Sequence, residues 1–320
     1  MSFSATLAAL ALLHGGPIQD APASQPPAAQ TAGDPSQLSE VVVRGERVAK
    51  EELTAYITEI GGGPPRRLMA RWNRPICIGT ANVRRDYAEP FIDHIAQVAL
   101  NVGVAVDGPG CRANMLVIFT NDGAGLAAAL AEDSPRSFIP AEHRGPQLTP
   151  ADLEAFIASD RPVRWWHLSQ DVSESTGQPV QMVTVVTPPP DGQEYEVPQV
   201  VVDRMSRLGG GMRADLQQGI VIVDTSKIGD TSSSALADYT AMVILSQIDP
   251  ETRAAGFPSI LSLFSEPPGS DTLTEWDWSY LRSLYRTPTG RPSRRFQERE
   301  IAAEMQRQFD LDARRPEARR

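Results

Sequence analysis

The chain is poor in lysine, cysteine, histidine and long apolar runs, and each shortage removes a class of function. Only Lys50 and Lys227 are lysines, and the net charge over 320 residues is −10. The basic surface of a general nucleic-acid binder is therefore missing, and no nucleic-acid partner is expected. No apolar stretch approaches the roughly 20 residues that a membrane-spanning helix needs, so no transmembrane span is expected. The four histidines, His14, His94, His143 and His167, stand far apart. A catalytic zinc needs three protein ligands and an open position, so no metal is expected. No glycine-rich loop precedes a Lys-Ser/Thr pair or fits the dinucleotide fingerprint, and no other cofactor is expected.

What is present suits a globular protein. A chain of this length with 41% hydrophobic and 22% charged residues can bury one sizeable core or two small ones. Its 27 prolines predict long, loop-rich connections. Ala5 to Leu13 forms a short apolar region, and Ala21-Pro22-Ala23 offers a small-x-small cleavage site. Residues 1–23 accordingly read as a signal peptide, which places the protein in the periplasm or outside the cell. Residues 24–38, rich in Ala, Pro, Gln and Ser, read as a disordered linker. The two cysteines, Cys77 and Cys111, make one disulfide in an oxidising compartment or two buried thiols. A disulfide would stabilise by about 3–4 kcal/mol on a chain-entropy basis.

The remainder divides into an α/β part at 39–135, a second part at 136–290 and an Arg-rich tail at 291–320. Val41–Val48 reads as a short strand and turn, and Glu51–Ile60 as a helix ended by Gly61-Gly62-Gly63. Phe91, Ile95, Val98, Ala99 and Val102 fall on one face of a helix over Tyr87–Val102. Strands are expected at Ile76–Ile78, Met115–Phe119, Val163–Leu168, Val180–Thr187, Val197–Val202 and Gly219–Val223. Thr149-Pro150-Ala151-Asp152 and Thr274 with Asp277 are helix-starting capping boxes. Further helices are expected at Ala124–Ala131, Ala235–Ile248 and Glu275–Tyr285. In the tail, Ile301, Met305 and Phe309 make a short amphipathic pattern, and the tail is otherwise read as a solvated, partly disordered end, with a weak contact for an anionic surface as the alternative. The fold class is α+β, a mixed sheet with packed helices.

Strand Gly219–Val223, helix Ala235–Ile248, the segment Ser259-Ile260-Leu261 and the helix ending in Leu284-Tyr285 follow one another in an order that resembles zincin-like metallopeptidases, especially metzincins. In those, an edge strand precedes a His-Glu-x-x-His helix, a Ser-Ile-Met-like turn underlies the site, and a C-terminal helix ends in a Leu-Tyr pair. The chain is also similar to proteobacterial envelope proteins whose zincin-like domain has altered ligand positions. Here Asp238, Tyr239 and Met242 occupy the motif positions. Met242 is a poor zinc ligand, and a tyrosine cannot replace the glutamate as general base at neutral pH. The resemblance thus implies the fold of the C-terminal half without its zinc chemistry.

Arg164-Trp165-Trp166-His167 is the densest aromatic cluster. On a strand, Trp165 and His167 share one side while Arg164 and Trp166 share the other. Trp165 and His167 either line a cleft or pack into the sheet. Ser39–Arg47 resembles the TonB box and its flank in outer-membrane receptors; the plainer alternative is the first strand of the domain. Ser232-Ser233-Ser234 caps the following helix. Together these readings favour an exported, non-catalytic binding or accessory protein. Its candidate groove is Trp165, His167, Asp238, Tyr239 and Met242, and its partner an envelope protein or peptide. The alternatives are a hydrolase built from His167, Asp238 and a surface serine, or an adaptor that binds through its N-terminal strand.

Overall fold

The computed structural model describes residues 48–63, 67–138, 149–188, 192–201 and 210–313. The expected signal peptide and linker, the Ser39–Arg47 segment and His143 lie outside the described residues. The described chain has the expected α+β class.

It begins with α1 (Lys50–Ile60), β1 (Ile78–Ala81), α2 (Arg85–Asn101), β2 (Met115–Thr120) and α3 (Gly123–Asp133). A single turn, α4 (Pro135–Phe138), and α5 (Pro150–Ala158) lead to β3 (Val163–Ser173), β4 (Gln181–Val186), β5 (Glu194–Gln199) and β6 (Met212–Asp224). Then come α6 (Ser233–Leu245), a short 3-10 turn at Ile260–Ser262, α7 (Glu275–Arg286) and α8 (Arg294–Ala313). Both capping boxes are formed, Thr149 with Asp152 and Thr274 with Asp277, and Ser232 caps α6.

The main sheet has the order β1-β2-β6-β3. Strands β1, β2 and β6 run parallel, and β3 runs antiparallel to β6 with a register shift between Leu168 and Ser169. Strands from the 39–135 and 136–290 parts therefore share one sheet. Gly219–Val223, expected at a sheet edge, lies inside β6 between β2 and β3; the edge strands are β1 and β3. Both faces of the sheet are covered, so β2 and β6 read as continuous apolar runs rather than alternating ones. Val163, Trp165, Val117, Val221 and Val223 face the larger core, with α1, α2, α6, α7 and α8. Trp166, Leu168 and Ile222 face a smaller core beneath α3 and α5. Strands β4 and β5 form a separate two-stranded hairpin.

Helix α6 runs through the larger core, and all eleven residues from Ala235 to Leu245 are buried. Each of its large aliphatic side chains contributes about 1.5–3 kcal/mol by leaving water. Beneath it, Asp277 holds the 3-10 turn. Its carboxylate accepts from Tyr56 Oη (2.8 Å), Ser259 Oγ (2.6 Å), Ile260 N (2.8 Å) and Thr274 N (2.9 Å). One buried carboxylate thereby joins α1, the turn and α7.

Cys77 and Cys111 form a disulfide with a Cα–Cα distance of 6.0 Å. It ties the residue before β1 to the loop that leads into β2. The Arg-rich tail differs from its reading as a solvated end. From Arg294 to Ala313 it is a helix of 20 residues, and Ile301, Ala302 and Met305 are fully buried against the larger core. Arg294 donates to the carbonyls of Gly61 and Gly62 and pairs with Glu298, which satisfies the open C-terminal end of α1. The abundant arginines therefore mask an apolar seam. No helix among the described residues is long and apolar enough to cross a membrane.

Candidate functional site

The three positions that would carry the zincin motif point into packed interior. Met242 is fully buried. Tyr239 packs edge-on against Trp165 and Phe264, with ring centroids 6.3 and 5.1 Å away. Burial pushes its phenol up to about 12. Asp238 faces α2 and the loop before α7. Its Oδ1 lies 2.6 Å from His94 Nε2, and its Oδ2 accepts from Thr272 Oγ1 (2.9 Å) and Leu273 N (3.1 Å). Asp238 is therefore paired with His94, and not with His167 as the hydrolase alternative required. Among the described residues no three His, Cys, Asp or Glu side chains converge as a metal-binding group.

Trp165 and His167 lie on the edge strand. Trp165 is 1% exposed, and its indole N–H donates to Ile248 O (3.1 Å). Trp166 is buried on the opposite face and donates to Phe138 O (3.1 Å). Both indole N–H groups are thus satisfied inside the protein, as buried indoles require. His167 is 5% exposed, and its buried Nε2 has no hydrogen-bond partner among the described residues. Desolvation lowers its pKa to about 4, so the imidazole is neutral at ordinary pH. Across the ladder from His167 stands Gly219. A Cβ there would sit 2.7 Å from His167 Cδ2 and 2.8 Å from Met115 Sδ, so the imidazole fits only because this β6 position lacks a side chain.

Trp165 and His167 also line a cavity of about 480 Å³. One wall is α5, through Ala155 and Phe156; the other is the chain from Gln247 to Glu251. Arg161 braces the second wall by donating to the carbonyls of Glu251 and Thr252, both at 2.6 Å. The cavity follows the free side of β3. Asp224 N donates to Pro162 O, and Gly219 N donates to Asn114 O. In an antiparallel ladder the hydrogen-bonded pairs alternate, so Arg164 and Trp166 turn their main-chain groups toward β6. The N–H and C=O groups of Val163, Trp165 and His167 consequently turn outward, and none has a backbone partner among the described residues.

Of the five expected groove residues, Trp165 and Tyr239 touch, Trp165 and His167 share the cavity wall, and Asp238 and Met242 serve packing. His94, Phe156 and the 247–251 wall are not among the expected groove residues. His94 sits 144 positions before its partner Asp238, and no local pattern links residues so far apart. The capping box at Thr149 was the one readable sign of a wall, because it fixes where α5 begins.

Compared with protein-family models, with curated proteins and with solved structures, the chain matches none.

Proposed function

We infer that the protein is an exported, non-catalytic, zincin-like protein of the bacterial envelope that binds an extended peptide segment. The observation that carries this reading is the Val163–His167 stretch of β3, whose outer edge is unpaired among the described residues and borders a cavity. A strand-like ligand there meets the outward N–H and C=O groups of Val163, Trp165 and His167, and main-chain pairing of this kind supplies affinity without a special sequence. The element order β6, α6, 3-10 turn and α7 supports the zincin-like part. So does the turn held beneath α6 by Asp277. The non-catalytic part rests on Asp238, Tyr239 and Met242, whose side chains are committed to hydrogen bonds and packing. The disulfide fits an oxidising compartment, as export requires.

Two-dimensional NMR of the full chain tests the groove, using a pool of blocked hexapeptides of mixed sequence. Shift changes concentrated at Val163–His167 and α5 are expected, and they should vanish in Ala155→Trp, which fills the groove from an exposed position. No change at β3 with any peptide sinks the reading. Metal analysis after dialysis tests the other half: one tightly held zinc per chain would overturn the non-catalytic assignment.

A further inference from the structure

We propose that the groove selects cationic segments, in which Lys or Arg alternates with apolar residues. This rests on the peptide-groove reading above and names its ligand class. Three observations carry it. The first is the sign of the charge that reaches solvent. Asp152 stands on the α5 wall, and Asp249 and Glu251 stand on the opposite wall. Asp152 and Glu251 are exposed and Asp249 is partly so. The lining's two cations, Arg161 and Arg164, are outnumbered by these three carboxylates. Arg161 spends its guanidinium on the Glu251 and Thr252 carbonyls. Arg164 is 2% exposed and donates to Phe156 O and Ile157 O.

The second observation is the apolar floor. Phe156, Trp165, Trp166 and Ile248 are all at least nine-tenths buried and border the cavity. Side chains of an added strand alternate between its two faces. Apolar residues can therefore rest on this floor while their basic neighbours reach the acidic rims. The third is His167, which lines the same cavity as a buried, neutral imidazole. It adds no charge that would repel a cation.

The test uses three blocked, fluorescein-labelled hexapeptides that alternate Val or Leu with Lys, with Gln or with Glu, titrated by anisotropy against the full chain. The Lys peptide should bind about tenfold more tightly than the Gln peptide, and the advantage should shrink as salt rises. The double variant Asp249→Asn with Glu251→Gln should remove most of that advantage. Equal or tighter binding of the Gln or Glu peptide overturns the charge selection while leaving the groove reading in place. Failure of all three peptides overturns both. Because the chain is acidic overall, Ala155→Trp is the control for non-specific attraction: Lys-peptide binding that survives it also refutes the proposal.

Discussion

His167 makes the stability of this protein depend on pH in a calculable way. The folded imidazole titrates at about 4, against 6.5 for an unperturbed histidine, because burial disfavours its charged form. Between those values the unfolded chain binds a proton that the folded chain refuses. The stabilisation is therefore complete above pH 6.5 and is lost as pH falls toward 4. A difference of this size corresponds to about 3 kcal/mol across that window, at about 1.4 kcal/mol per pH unit. His167→Leu keeps an apolar side chain of similar volume and removes the titration. Carboxylates elsewhere also respond to acid, so the informative quantity is the wild-type-minus-variant difference in unfolding free energy. Urea titrations at several pH values across the window provide it. The difference should move by about 3 kcal/mol against the wild type as acid is added. Parallel stability profiles would refute the buried, neutral imidazole, as would an NMR titration of His167 with a midpoint at the unperturbed value.

Three further perturbations probe the frame around the groove. Asp277→Ala strands the donors of Tyr56, Ser259, Ile260 and Thr274 in the interior and should cost about 3–5 kcal/mol by urea unfolding; a cost below about 1 kcal/mol would contradict the network. Gly219→Val drives a side chain into His167 and Met115 and should cost about 1–3 kcal/mol, visible as a lowered Tm. Pairing it with His167→Ala should recover part of the loss, and additive effects would place the clash elsewhere. Reducing Cys77–Cys111, or replacing both cysteines by serine, should cost about 3–4 kcal/mol in denaturant unfolding, and no change in midpoint would deny the cross-link a role.

Local chemistry was legible in the sequence, and long-range pairing was not. Thr149 with Asp152, Thr274 with Asp277 and Ser232 all announce helix starts, because a cap needs only residues three positions apart. The apolar face of α2 could be read for the same reason: its period is a property of one helix. The order β1-β2-β6-β3 had no such signature. Gly219–Val223 reads equally well as an inner or an edge strand, since both faces of this sheet are covered and the usual alternation is lost. The tail shows the reverse error. Its arginines suggested solvent, yet Ile301, Ala302 and Met305 form a buried seam, and Arg294 reaches back to the end of α1. Composition averages over the helix, whereas burial follows one face of it.

The same contrast explains why the groove lies beside α6 rather than upon it. A zinc-bearing helix must leave a polar face open to water and ligand. Here Tyr239 fills that space against Trp165 and Phe264, and Met242 continues the packing. Asp238 is drawn sideways to His94 and Thr272. Sealing the helix face also fixes Trp165, whose indole is anchored to Ile248 O and wedged against Tyr239. The outward main-chain groups of Val163, Trp165 and His167, on this supported stretch of β3, stay unpaired among the described residues. A pre-ordered edge spares a ligand the entropy of arranging its receptor, which favours binding by strand addition. Tyr239 on α6 thus acts on the cavity only indirectly, by supporting Trp165 on its wall.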